Sequence, residues 1–311
     1  MRVLCFGSLN IDYTYRVDHF VRKGETLSSE SLQVFSGGKG LNQSIALAKA
    51  GAPTYLAGAV GEDGLFLLDI LKKAGVDTSC VQVRSDVRTG NAIIQNDKEG
   101  DNCILLYGGA NQAITREQID EVLEKFGEGD FLILQNEINE LPYLATRAHE
   151  RGMKIVLNPS PMDEKIFALP LDLVDYFLLN ETEGSELLKH DGRSEWGNME
   201  ELAGELTARF PEATIVLTIG SDGAIFANGK KRFLQPSFPV KAVDTTAAGD
   251  TFSGYFIAGI LGGMTEESAM ELAARAASIA VTRPGAAPSI PERKEVEAAA
   301  GNGMMRAFGT S

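Results

Sequence analysis

Short apolar runs alternate with helical patterns through most of this chain, and that alternation restricts the available folds more than any other feature. The runs at residues 3–7, 54–60, 131–134, 154–157, 176–179 and 215–219 are nearly continuous in apolar residues. Strands of that kind are buried on both faces. Helix candidates lie between them, at residues 40–50, 65–74, 115–126, 141–151, 181–189 and 199–210. Gly51, Gly75 and Gly152 end three of these, where a left-handed C-cap is wanted. Parallel strands need long crossover connections, so the expectation is an α/β fold with a mostly parallel central sheet covered by helices on both faces.

Two stretches break this rhythm. Residues 10–17 and 31–35 alternate apolar with polar side chains, as do 89–96 and 102–107, the latter pair joined by the turn signal Asp97-Lys98-Glu99-Gly100. Period-two alternation belongs to a sheet with one wet face. The expectation is a small antiparallel β sheet inserted into the main one, formed by approximately 10–36 and 89–108. It reads either as a lid that closes over a substrate or as an ordinary edge extension. No repeat or linker divides the chain, so its 311 residues are expected to form one domain, 1–311.

Charge and cysteine content exclude several classes. A formal charge of −14 repels phosphate backbones and anionic lipid, so neither nucleic acid nor a membrane surface is an expected partner. Three cysteines, scattered at Cys5, Cys80 and Cys103, make no disulfide framework, and Cys5 and Cys103 stand in apolar runs that suggest burial. The first apolar stretch is too short for a signal peptide, and the longest uncharged run, 251–265, is interrupted by glycines. A reducing, cytoplasmic location follows as an expectation. Walker and dinucleotide-binding glycine patterns, a nucleophile elbow and metal-spaced histidines are all missing from the sequence.

Ligands of parallel sheets bind beyond the carboxyl ends of the strands. Here those ends carry Gly7, Ser8 and Asn10, then Gln135-Asn136-Glu137, Asn158, Asn180-Glu181 and Thr218. A polar cleft is one reading of that row; helix capping is the other. The strongest local signal is Asp244-Thr245-Thr246-Ala247-Ala248-Gly249-Asp250, opening an apolar helix. Small residues at Ala247, Ala248 and Gly249 let backbone amides approach an anion at the positive end of the helix. Asp250 then stands at the lip, either as a plain capping residue or as a base for an attacking hydroxyl. A second segment, Gly37-Gly38-Lys39-Gly40-Leu41-Asn42-Gln43, combines close-approach glycines with the donors Lys39 and Asn42. Asn10 and Asp12 share one strand face, where a carboxylate could take two vicinal hydroxyls or simply face water.

Taken together, these segments resemble the ribokinase-like, PfkB-type carbohydrate kinase family. The resemblance is carried by Gly7-Ser8-Leu9-Asn10-Ile11-Asp12, Gly24-Glu25-Thr26, the segments from Gly37 to Gln43 and from Asp244 to Asp250, Gly108-Gly109-Ala110-Asn111, Asn158-Pro159, Asn180-Glu181-Thr182-Glu183, and Ala280-Val281-Thr282-Arg283-Pro284-Gly285-Ala286. It covers nearly the whole chain in order and is greatest to the ribokinase-type members. It implies a three-layer α/β fold and transfer of the γ-phosphoryl of ATP to a primary hydroxyl of a small sugar, D-ribose first. Fructose, a keto-deoxy sugar acid or a nucleoside is the alternative acceptor. A non-catalytic sugar-binding protein on the same scaffold is the rival, and retention of Asp250 and Glu183 argues against it.

The resemblance implies roles as well. Asp250 would be the general base, and the amides of Ala247, Ala248 and Gly249 an anion hole. Asn10, Asp12, Gly38, Lys39, Asn42 and Glu137 would hold the sugar together with Asp250. Asn180 and the segment Thr218, Ile219, Gly220, Ser221, Asp222, Gly223 would line the nucleotide, with Gly249. Glu183 would reach Mg2+ through water. K+ would be ringed by Asp244, Thr246, Ala280, Arg283, Gly285 and Ser289, and pairing of lid sheets would give a homodimer. Three positions depart from the family pattern: Ala274 near adenine, Thr246 in place of an aliphatic residue, and Ala248 before Gly249.

Overall fold

The computed structural model of the protein describes residues 1–192 and 196–301. Elements are numbered in chain order. A large sheet takes β1 (Val3–Phe6), β4 (Thr54–Gly61), β5 (Asp77–Arg84), β8 (Phe131–Gln135), β9 (Lys154–Asn158), β10 (Tyr176–Asn180) and β11 (Thr214–Thr218), all parallel. The antiparallel strands β12 (Ala224–Ala227) and β13 (Arg232–Gln235) extend one edge, giving nine strands in the order β13-β12-β11-β10-β9-β8-β1-β4-β5. The α/β expectation holds, and the six strand candidates all pair. β5 and the β12–β13 hairpin were not foreseen, because their exposed or short runs resemble loop sequence.

Side-chain alternation along the buried strands sorts residues into two cores, one on each side of the sheet. Val3, Cys5, Ile133, Val156, Leu178 and Val216 face one core; Leu4, Phe6, Leu134, Leu157, Phe177 and Leu217 face the other. The first core is closed by α1 (Lys39–Lys49), α2 (Leu65–Lys73), α7 (Ala248–Leu261), α8 (Glu266–Ala280) and α9 (Arg293–Gly301), through residues such as Leu41, Leu71, Tyr255, Met270 and Val296. The second is closed by α3 (Arg116–Leu123), α4 (Leu141–Glu150), α5 (Glu181–His190) and α6 (Met199–Arg209). A helix that is apolar all round belongs in a core. Accordingly α7, the uncharged run of the sequence, is buried from Asp250 to Gly259 and is internal to the fold. No described helix is long and apolar enough to cross a membrane.

The remaining strands, β2 (Asn10–Arg16), β3 (Ser31–Gly37), β6 (Gly90–Asn96) and β7 (Asn102–Tyr107), form a separate sheet in the order β3-β2-β6-β7. It is mixed rather than antiparallel: β2 runs antiparallel to β3 but parallel to β6, and only β6–β7 is the expected hairpin. The reason is topological. The chain returns to β2 through the large sheet, by way of β4, α2 and β5, and a long crossover leaves strand direction free where a tight turn would not. Cys103 stands exposed on β7, a correction to its expected burial, whereas Cys5 and Cys80 are buried. The two sheets meet where β1 passes into β2 and where β3 passes into α1.

Candidate active site

The site is built at that seam, beyond the carboxyl ends of the parallel strands. Gly38 makes the turn from β3 into α1 with φ 93°, a left-handed conformation that favours glycine, and an added Cβ would lie 2.8 Å from the Ser8 carbonyl oxygen. The tight turn places the start of α1 over β1. Leu41 N–H donates to the Ser8 carbonyl at 3.0 Å, and Gly40 N–H donates to Ser8 Oγ at 3.3 Å. Glu137, just past β8, accepts from Lys39 N–H at 2.9 Å and from Ser8 Oγ. Gly37 is required for a different reason, because a Cβ there would fall onto the Asp12 carboxylate.

Asp250 lies in the first turn of α7 and is only 6% exposed. Its two oxygens are held separately: Asn42 Nδ2 donates to Oδ2 at 3.1 Å and Gln43 Nε2 to Oδ1 at 3.0 Å. Donors from consecutive residues of α1 thus offset the cost of burying the carboxylate at the start of a helix. Ala247 is buried in the first core. The Ala248 N–H donates to the Thr245 carbonyl at 3.1 Å. Gly249 lines both cavities of the site, polar and apolar, and Ala248 only the apolar one, so the three small residues do not present themselves equally.

Two cavities share Thr218, Gly249 and Phe252 as a common wall. The first, about 200 Å³, is polar and brings together Lys39, Asn158, Ser160, Asn180, Glu183 and Asp250. The second, about 360 Å³, runs past Gly220, Ser221 and Gly223 to apolar walls at Val240, Ala242, Ala274, Ala277 and Val281. Ile219 and Asp222 line neither; Ile219 packs against the second core instead. The Asn180–Glu183 pair is a capping box at the start of α5. Asn180 Oδ1 accepts from Glu183 N–H and Glu183 Oε2 from Asn180 N–H, each at 2.9 Å. The capping reading and the cleft reading are therefore both true of one motif.

Burial pushes the Asp12 carboxyl up to about 6, with a further push from neighbouring Glu137. Burial also raises the Glu183 carboxyl, against opposing hydrogen bonds and the charge of Lys39. Burial opposes the Lys39 charge, yet Asp250, Glu137 and Glu183 together hold its ammonium above the ordinary lysine range. Asn10, on β2 with Asp12, is fixed by Asn111, whose Nδ2 donates to Asn10 Oδ1 at 2.7 Å. Asn111 also brackets the Leu9 backbone, accepting from its N–H at 3.0 Å and donating to its carbonyl at 3.2 Å. Sequence reasoning assigned no role to Ser8, Asn111 or Gln43, although all three stand inside quoted motifs.

Asp244 gathers a third group. It accepts from Thr246 N–H at 2.9 Å, from Thr246 Oγ1 at 2.5 Å and from Gly285 N–H at 2.8 Å. Burial works against its ionisation, but these bonds outweigh it and hold the carboxyl below the usual range. The Ala280 carbonyl accepts from Arg283 N–H, and the Arg283 side chain turns away to Glu295 at 2.7 Å. Ser289 Oγ donates to the Ala286 carbonyl at 2.7 Å.

The family model described as pfkB family carbohydrate kinase matches residues 1–293. The ribokinase of Bacillus subtilis (strain 168) is 36% identical over 302 residues, covering 96% of this chain and 99% of that protein. The structure of Arabidopsis thaliana ribokinase complexed with ribose and ATP matches with a TM-score of 0.85 at 30% identity, covering 99% of both chains. A ribokinase from Cryptococcus neoformans var. grubii serotype A, in complex with ADP, matches with a TM-score of 0.84 at 32% identity, covering 96% of this chain and 98% of that one.

Proposed function

The chain belongs to the pfkB family of carbohydrate kinases, and from that premise we propose that it transfers the γ-phosphoryl of ATP to the primary hydroxyl of D-ribose. One observation carries the reading. Asp250, buried and held through both oxygens, lines a polar cavity that shares Thr218, Gly249 and Phe252 with a larger apolar one, while Asn42, one of the residues expected to hold the sugar, bonds it from outside both cavities. A base placed between an acceptor site and a donor site is the arrangement phosphoryl transfer needs. Similarity to ribokinases over nearly the whole chain supports ribose as the acceptor.

In this mechanism Asn10, Asp12, Gly38, Lys39, Asn42 and Glu137 hold the sugar. Asp12 and Glu137 accept from its hydroxyls, and the buried Asn42 Oδ1, which has no partner among the described residues, offers one further acceptor. Asp250 takes the proton of the attacking hydroxyl as its oxygen bonds the γ-phosphorus. The bond from phosphorus to the β-phosphate oxygen breaks, and ADP leaves. The small-residue start of α7, Ala247 to Gly249, faces the developing charge with its helix end, and Lys39 balances it. Thr218 to Gly223 and the apolar cavity beyond take the nucleotide, with Ala274 on the adenine side.

Glu183 shares the polar cavity with Asp250 and is suited to holding Mg2+ through water beside the phosphates. Asp244, bonded to Thr246 and Gly285, would hold K+ together with oxygens of Thr246, Ala280, Arg283, Gly285 and Ser289, a hard donor set of the kind that ion takes. Both ions would supply positive charge to a crowded anionic site. The whole chain acts as one domain with the four-stranded sheet as its lid. That lid pairs with a second copy through side chains such as Leu105, 68% exposed. The two buried free thiols suit the reducing cytoplasm.

The test is ADP release with magnesium-ATP across ribose, deoxyribose, fructose, keto-deoxygluconate, adenosine and other nucleosides, with and without potassium. Strong turnover on ribose, raised by potassium, is the expected result. Preference for another acceptor overturns the sugar assignment alone, and silence from folded protein overturns the kinase.

A further inference from the structure

Behind the general base lies a second layer of amides that none of the roles above uses. Gln43 is 1% exposed and Gln135, at the end of β8, is equally buried. Gln135 Nε2 donates to Gln43 Oε1 at 2.7 Å. With its oxygen facing that donor, the Gln43 amide must present its nitrogen to the other side. There it donates to Asp250 Oδ1 at 3.0 Å and to Asn158 Oδ1 at 3.2 Å. The far end is pinned as well, because Asn158 Nδ2 donates to the Leu178 carbonyl at 2.8 Å, which turns its own oxygen toward Gln43. Every amide in the line has one orientation consistent with its neighbours.

The arrangement has a cost in the fold. Gln135 Oε1 is buried with no partner among the described residues. Gly7 leaves space for it, since a Cβ there would run into that oxygen. A buried amide oxygen left unpaired is unfavourable in an apolar core. That cost is borne by the residue whose Nε2 fixes Gln43, and the line of amides ends on the carboxylate of the base.

We propose that Gln43 is a positioning residue for Asp250, held in its working orientation by Gln135. The proposal rests on the kinase reading and deepens it. Asn42 holds one oxygen of the base and Gln43 the other. Together they set the rotation of the carboxylate, so that its free lone pairs meet the acceptor hydroxyl. Gln43 touches neither substrate in this scheme; it acts only through Asp250.

The experiment uses the full chain with ribose and magnesium-ATP. Gln43→Met keeps the volume and removes the amide. Its kcat should fall on the order of 10- to 100-fold, the scale of a misplaced reacting group, with KM for ribose and ATP within about twofold of wild type. In an Asp250→Asn background the same substitution should cost no more than about twofold further, because residues that act through one another are not additive. Gln135→Met leaves Gln43 and Asp250 in place, and its smaller kcat loss of about 3- to 10-fold carries the test alone should Gln43→Met fail to fold. An unchanged kcat in the variants that fold overturns the proposal. So does an equal loss in both backgrounds, or a loss confined to KM. A wild-type protein silent on every acceptor overturns the kinase reading and this one with it.

Discussion

Leu134 on β8 and Leu105 on β7 are the same residue type in strands of five and six residues, yet Leu134 is 0% exposed and Leu105 is 68% exposed. The large sheet has helices on both faces, and its strands are apolar at almost every position. The small sheet is buried mainly at the end that adjoins the body of the protein, at Asn10, Ile11, Ser36, Gly37, Gly90 and Ala92, and β7 is exposed along its whole length. Burial on both sides makes a rigid platform, and that platform carries Asp250, Gln43 and Glu183. Burial at one end only leaves few contacts to break, the property expected of an element that opens and closes. It is this sheet that carries Asn10 and Asp12. In the proposed mechanism the chemistry then stands on the stiff layer, while the acceptor is gripped from the pliant one.

The sharpest test of the rigid half is Asp250→Asn. Turnover should fall by about 10²- to 10⁴-fold with ribose affinity largely retained, as single-turnover and binding measurements would reveal. Near-normal turnover would remove Asp250 from the chemistry. Next in size is the contrast in stability. Phe177→Ala, which empties a core position packed 4.4 Å from the Phe210 ring, should cost about 3–5 kcal/mol in denaturant unfolding. Leu105→Ala should stay within about 0.5 kcal/mol when the monomer is measured. Comparable losses would erase the distinction between the two sheets.

Asp12 sharpens the comparison from the pliant side. Its carboxyl, pushed up to about 6 from 3.8, binds more protons in the folded than in the unfolded chain between those values. Stability therefore falls as pH rises from about 4 to 6, and the cost persists above 6. Asp12→Asn should be more stable than wild type at pH 7, on the order of 1–3 kcal/mol, with the gain vanishing near pH 4. Ribose affinity should weaken as pH drops through about 6, where the acceptor carboxylate is protonated, and the variant should lose that dependence. A flat affinity profile in the wild type would take Asp12 out of the sugar site. Smallest in its effect on the folded monomer is Leu105→Lys, which should shift sedimentation from dimer toward monomer with stability changed by about 0.5 kcal/mol or less. An unchanged oligomeric state would move the pairing surface elsewhere.

Much of this was legible in the residues. Apolar runs at β1, β8, β9, β10 and β11, with glycine stops after α1, α2 and α4, announce a doubly covered parallel sheet, because continuous burial leaves an unbroken hydrophobic signature. The small-residue segment before Asp250 and the glycines before Lys39 mark the site, since close backbone approach needs residues without bulk. The parallel β2–β6 pairing was illegible, for strand direction depends on the route of the chain between strands far apart in sequence. β5 was missed because an edge strand carries polar residues like a loop. Cys103 was misread because an apolar run looks the same whether it faces a core or an uncovered sheet.

What the sequence determined by itself is the class of fold, the family and the short segments that make the turns at Gly38 and before Asp250, all consequences of local pattern and steric need. What only tertiary structure decided is which of those segments meet. Asn42 and Gln43 reach Asp250 across more than 200 residues of chain. Asn180 and Glu183 cap a helix and line a cavity at once. Gln135 spends a buried oxygen to orient Gln43. Hydrogen bonds of this kind are set by distance and angle in three dimensions, and no periodicity along the chain encodes them.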